Sequence, residues 1–221
     1  MPRRLRPTNS VAAEAILVGD PGRALLLAQE LLEQPKMCNH ARGLWGYSGR
    51  TPAGRELTVQ STGMGGPSAA IVLADLAELG VRRAVRVGTC TAIEPRLRPG
   101  DLLVVAEAHA WSGGGAGEPA HPDPGLTERL GAELRGRLAN EAATIASLDT
   151  LHGGGAPAPV AAGEVADMQT AALLERGRAL GVALAAVTIV AESTSGEGLE
   201  DETLEAAAKR AGSAAAAVLS S

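Results

Sequence analysis

The chemistry of this chain is concentrated in one stretch, Arg82-Arg83-Ala84-Val85-Arg86-Val87-Gly88-Thr89-Cys90-Thr91. Residues 84–87 read as a short buried strand that carries one arginine and ends in glycine and hydroxyl residues. A guanidinium buried near a strand end is costly unless an anion meets it. Gly88 lets a ligand approach the backbone, and Thr89 offers a hydroxyl beside Arg86. In open α/β sheets, ligands bind beyond the carboxyl ends of the strands. The pattern points to an oxyanion site, with phosphate as the first candidate.

Three other segments carry compatible groups. Gly19-Asp20-Pro21-Gly22-Arg23 joins an apolar strand at 15–18 to a helix at 24–32, which is the geometry of an anion cradle and equally that of an ordinary βα turn with a solvated arginine. Arg42 sits at the entrance of a hairpin spanning 39–62, where a surface charge is the plainer reading. Thr62-Gly63-Met64-Gly65-Gly66-Pro67-Ser68 leads into a helix at 69–79; it matches neither a dinucleotide fingerprint nor a P-loop, but its glycines permit close approach to a ligand.

The elements that must position these groups alternate along the chain. Further strands are expected at 101–108, 142–147 and 182–191, and further helices at 126–138, 164–180 and 204–219. Asp167, Met168 and Gln169 would ride on the second of these helices, and Glu192-Ser193-Thr194 would follow the last strand. With no break in composition, residues 1–221 read as one three-layer α/β/α domain around a mixed central sheet. Residues 1–10 are expected to be disordered, and 112–124 and 153–163 to be flexible loops.

Composition narrows the function. An apolar fraction of 45% supports a substantial core in 221 residues, but aromatics make up only 1%, so Ala, Val, Leu and Ile must fill it. A net charge of −5 argues against a nucleic-acid or anionic-membrane surface. Cys38 and Cys90 lack the paired spacing of a zinc or redox site, and no cluster of metal ligands stands out. No window reads as a signal peptide or a membrane span, so the expected location is the cytoplasm.

Taken together, Gly19-Asp20-Pro21-Gly22-Arg23, Asn39-His40-Ala41-Arg42-Gly43-Leu44-Trp45-Gly46-Tyr47, Thr62-Gly63-Met64-Gly65, Arg86-Val87-Gly88-Thr89, Ala146-Ser147-Leu148-Asp149-Thr150 and Asp167-Met168-Gln169-Thr170-Ala171-Ala172 resemble, in order and interval, the purine and uridine nucleoside phosphorylase family. The likeness is tightest over 15–110 and loose over 111–165.

The resemblance implies a pentosyltransferase that uses inorganic phosphate, with no cofactor or metal, to split a nucleoside into free base and (deoxy)ribose 1-phosphate. It assigns phosphate contacts to Gly19, Arg23, Arg86 and Thr89, and to Arg42 supplied by a neighbouring subunit, making a homodimer the smallest active unit and a hexamer the usual assembly. Met64, Thr91, Asp167, Met168, Gln169 and Ser193 fall to the ribose and base, with Gln169 in the place of a glutamate that binds the ribose hydroxyls. Arg86 is the catalytic anchor. Glu192 and Thr194 stand near the place of an aspartate that protonates the leaving base, and of the two only Glu192 can serve as an acid. With no phenylalanine in the chain, Trp111 or Leu151 would line the base. The alternatives are a catalytically impaired homologue that binds a nucleoside or sugar phosphate, and a hydrolytic nucleosidase.

Overall fold

The computed structural model describes residues 4–112, 115–135, 142–149 and 163–221. Its elements run in the order β1 (Glu14–Val18), α1 (Pro21–Leu31), β2 (Glu33–Asn39), β3 (Gly46–Arg50), β4 (Glu56–Ser61), α2 (Gly66–Glu78), β5 (Arg83–Ala92), β6 (Leu102–Ser112), β7 (Gly115–Ala120), α3 (Pro124–Arg135), β8 (Ala142–Leu148), β9 (Val165–Asp167), α4 (Thr170–Leu180), β10 (Ala183–Ser193) and α5 (Asp201–Ser220).

Strand alternation divides the core into two layers. In β1, Ile16 and Val18 face one side with the helices α1, α3 and α5, while Ala15 and Leu17 face the other with α2 and α4. In β5, Val85 and Val87 join the first layer and Ala84, Cys90 and Ala92 the second. Arg86 shares the parity of Ala84, so it enters the layer shared with α2 and α4, whose core is mostly aliphatic. The small side chains of α5 pack closely on α1; at Gly212 an added Cβ would lie 2.7 Å from Leu27. Tight packing of small residues is how a core nearly free of aromatics is filled.

The sheet is mixed, as the hairpin suggested, but part of it is closed. Parallel pairs β1–β4, β1–β5 and β5–β10 make the middle, and β2, β3 and β4 extend it as antiparallel neighbours. Beyond β5, the pairings β10–β6, β6–β8, β8–β9 and β9–β5 form a ring that returns to its start. Both edges of the arginine-bearing strand are therefore hydrogen-bonded along much of its length.

Several expectations are corrected. Residues 4–10 are tied down: Arg4 and Leu5 donate their backbone N–H groups to Asp75 at 2.6 and 2.7 Å, Arg6 donates to Asn39 at 2.8 Å, and Leu5 is buried. Within 112–124, residues 115–120 form β7 against β6. Strand β2 is not marked in the sequence because its face is polar and it contains Pro35; such a strand is tolerated at a sheet edge, and among the described residues β2 pairs with β3 alone. The helix expected over 164–180 starts instead at Thr170. Residues 165–167 are a strand between β5 and β8, and the Asp167 carboxylate accepts the Thr170 N–H at 3.1 Å, satisfying a donor in the first turn of α4. The loop expected at 153–163 lies largely outside the described residues, as do Leu151 and the side chain of Trp111.

Both thiols are free and buried. Burial pushes the Cys90 thiol from 9.0 up to about 12. The raised value favours the neutral thiol in the folded state, so its contribution to stability is complete below pH 9.0 and is lost as pH climbs toward about 12. We expect neither thiol to react with a water-soluble aromatic disulfide at about pH 8 until denaturant is added; rapid native-state labelling of Cys90 would contradict its placement.

Candidate active site

A cleft of about 660 Å³ opens where β1, β4, β5, β9 and β10 end or turn. One wall is the start of α1. Pro21 occupies its first turn and the Asp20 carboxylate accepts the Arg23 N–H at 2.7 Å, so the helix begins where the sequence placed it, with Arg23 leaning over the cleft. Burial lowers the Arg23 pKa; Asp20 opposes this, and Arg86 reinforces it. An arginine stays protonated through such a shift, so the lowering marks a partly desolvated charge suited to an incoming anion.

Arg86 forms the floor. Its side chain is only 4% exposed and is gripped from three directions: Nε donates to Thr170 Oγ1 at 3.0 Å, Nη1 to Gln169 Oε1 at 2.8 Å and Nη2 to Asp167 Oδ2 at 2.9 Å. The guanidinium lies over Gly88, where a Cβ would come within 2.6 Å of Cζ. Gly88 is thus required by Arg86 itself. Of the five guanidinium N–H groups, three are spent inside the protein and one on each Nη remains.

The partners of Arg86 are themselves fixed. Asp167, 1% exposed, also accepts from Ser147 Oγ and from Thr170 Oγ1, each at 2.5 Å. Gln169 accepts from Thr62 Oγ1 at 3.1 Å and donates to the carbonyls of Gly63 at 2.5 Å and Gly65 at 3.4 Å. The glycine loop after β4 is thereby joined to Arg86. Gly63 and Gly65 have φ of 73° and 81°, a conformation that suits glycine.

The opposite wall carries Glu192. A bulge in β10 skips Ala191, so that Val190 faces Cys90 and Glu192 faces Thr91, whose hydroxyl donates to Glu192 Oε1 at 2.8 Å. The second carboxylate oxygen has no such partner among the described residues.

Of the residues singled out from the sequence, Gly19, Arg23, Arg86, Thr89, Met64, Met168, Gln169 and Glu192 border this cleft together. Thr91 stands behind Glu192 and Asp167 behind Arg86. Ser193 pairs with Ser195 at 2.7 Å, and Thr194 is exposed with its N–H bonded to Ala92, so neither borders the cleft. Thr194 is therefore corrected as a stand-in for an acid: the bulge moves the strand's carboxylate, not its threonine, to the cavity. Arg42 is exposed on a short 3-10 turn, Ala41–Gly43, with φ of 62°, and does not border its own cleft. The sequence reading missed Ser147, Thr62 and Thr170 as parts of the site. The signal for Thr170 was present, since a buried arginine demands partners and Asp167-x-x-Thr170 is a helix-start pattern.

A sequence model of the phosphorylase superfamily matches residues 14–221. The chain belongs to the phosphorylase superfamily. Among curated relatives of this superfamily member, the DeoD-type purine nucleoside phosphorylase of Oceanobacillus iheyensis is 40% identical over 101 residues, 45% of this chain and 43% of that protein. That of Clostridium novyi is 40% identical over 106 residues, 48% and 45% respectively. The matched stretch thus spans less than half of each relative. Among solved structures, one from a study of two uridine phosphorylases of Phytophthora capsici superposes with a TM-score of 0.85 at 20% identity, covering 97% of this chain and 92% of that one. A purine nucleoside phosphorylase of Toxoplasma gondii, in complex with immucillin-H, gives 0.84 at 21% identity, with 96% and 92% covered. These two share the fold.

Removing Arg86 strands a buried carboxylate, so Arg86→Ala should lower unfolding stability by about 3–5 kcal/mol. Adding Asp167→Asn should recover part of that loss, as measured by denaturant titration; an additive double variant would show that the pair is not coupled.

Proposed function

We propose that the protein cleaves a purine or uridine-type nucleoside by phosphorolysis, giving free base and (deoxy)ribose 1-phosphate. The observation that carries this reading is the convergence of Arg23, the two remaining Nη–H groups of Arg86, Gly19 and Thr89 on one cleft large enough for a nucleoside. Paired guanidinium donors suit a phosphate dianion, and their positions are set before it arrives. A phosphate oxygen then forms a bond to the anomeric carbon as the carbon–nitrogen bond breaks, and the bond's electron pair leaves with the base. The anion also stabilises the positive charge that develops on the sugar.

Glu192 supplies the proton or hydrogen bond that the departing base requires. It lines the wall opposite Asp20 and Arg23, and the Thr91 hydroxyl holds one of its two carboxylate oxygens. Met64 and Met168 form the apolar surface over which the sugar lies. The reaction calls for inorganic phosphate and no further cofactor.

The reading includes a cytoplasmic homo-oligomer, at least a dimer and in its full form a hexamer. Within one chain the carboxylates of Asp20 and Glu192 at the cleft, with that of Asp167 behind Arg86, outnumber the arginines Arg23 and Arg86 by one. A dianion therefore gains from another cation, and this reading assigns that role to Arg42 of a neighbouring copy; its exposure in a left-handed turn, away from its own cleft, supports the assignment. A hydrolytic reading draws on the same pairing, because Asp167 already neutralises Arg86 and lowers the demand for an anion.

The deciding experiment is incubation with a panel of purine and pyrimidine nucleosides, with and without phosphate, following base release by chromatography. Release that depends on phosphate is expected; release at the same rate in phosphate-free buffer would replace phosphorolysis by hydrolysis, and no release from any nucleoside would point to a binding protein. For the shared site, Arg42→Ala and Arg23→Ala should each be inactive alone. Refolded together they should regain a substantial fraction of activity, since a mixed dimer rebuilds one intact cleft. No recovery on mixing would place Arg42 outside the site.

A further inference from the structure

Gln169 borders the cleft, yet its amide is bonded within the protein. Its carbonyl oxygen accepts from Arg86 Nη1 and lies 3.1 Å from Thr62 Oγ1, whose single proton is shared with the Val18 carbonyl at 3.0 Å, and its nitrogen donates to the carbonyls of Gly63 and Gly65. Both N–H donors and one acceptor site of the amide are therefore used, and the Thr62 hydroxyl stands against the other. The side chain is 4% exposed. Asp167 is likewise committed on both oxygens to Arg86, Ser147 and Thr170. Of the triplet Asp167-Met168-Gln169, only the Met168 side chain faces the cleft without a committed polar group.

We propose that Gln169 is a positioning residue that links the glycine loop to Arg86, and not a ligand of the sugar, so that a 2-deoxyribosyl substrate loses no contact at this point. The inference rests on the phosphorolysis reading for its substrate and on the geometry alone for the linkage. It follows from chemistry specific to an amide. Only a group that both donates and accepts can hold two backbone carbonyls and a guanidinium at once. A carboxylate in the same place would attract Arg86 but repel the carbonyls of Gly63 and Gly65, releasing the loop. It would also be a second negative charge on an arginine already paired with Asp167, and so would oppose an entering phosphate.

The two roles predict opposite results for Gln169→Glu. For a positioning residue, KM for phosphate rises about tenfold or more while KM for the nucleoside stays within about twofold. For a sugar ligand, the added charge on the acceptor tightens the ribonucleoside and leaves KM for phosphate unchanged; that outcome overturns the proposal. Gln169→Ala, which removes the amide without adding charge, provides a second test. It should raise KM for phosphate and leave the ratio of kcat/KM between a ribonucleoside and its 2-deoxy counterpart as in the parent. A ribose preference that Gln169→Ala abolishes overturns the proposal. If the parent enzyme turns over no nucleoside, phosphorolysis fails as the function, and calorimetric titration with inorganic phosphate still decides the linkage. Weaker binding by Gln169→Glu than by the parent supports it, and equal binding overturns it.

Discussion

A single buried ion pair organises this protein. Arg86 and Asp167 meet in a layer that is otherwise filled with aliphatic side chains, and each would be untenable there without the other. Around the pair, β5 supplies the arginine, β9 the carboxylate, β8 the Ser147 hydroxyl, α4 the Thr170 hydroxyl, and the loop after β4 is drawn in through Gln169. The glycine loop after β4, the ends of β5 and β8, and the turn from β9 into α4 thus meet around one planar cation and its carboxylate. The short strand β9, only three residues long, would have little reason to hold its register without that contact.

The same pairing sets the electrostatics of the cleft. Asp167 holds the guanidinium in place at the cost of part of its attraction for an anion, so the site trades strength for orientation. Because the two unspent N–H groups sit on a fixed plane over Gly88, little reorganisation is needed when an anion enters. Arg23 has the opposite character: it is partly buried on a helix start, with Asp20 nearby but no salt-bridging contact among the described residues. One arginine is a fixture and the other is free to respond.

Much of this could be read in the sequence, and the failures have physical causes. The order of strands and helices followed from periodicity, and the demand that a buried Arg86 meet an anion was sound. What the sequence did not reveal is that Asp167 from the same chain meets that demand first, because 167 and 86 are brought together by a parallel and antiparallel ring with no local signal. Asp167 was assigned to a helix since Val165, Ala166, Leu173 and Leu174 have apolar spacing that suits a helix as well as a strand followed by a helix. Gln169 takes a place at the ribose hydroxyls from the resemblance; its bonds to Arg86 and to the carbonyls of Gly63 and Gly65 depend on a loop a hundred residues away that leaves no local signal. Pro35 hid an edge strand. For Glu192 and Thr194, the bulge at Ala191 decides which residue at the end of β10 stands beside Thr91, and nothing local in the sequence marks it.

The bulge makes the cleft sensitive to strand register. Ala191 contributes no chemistry, yet its extra place in the strand brings Glu192, and not its neighbours, beside Thr91. Were the same residues paired as an even ladder, Ala191 would stand opposite Thr91 and the carboxylate would fall one step later, opposite Ala92. The group presented at this wall is therefore set by strand pairing as well as by side-chain identity: the same sequence in an even register would offer the cleft a methyl group in place of a carboxylate.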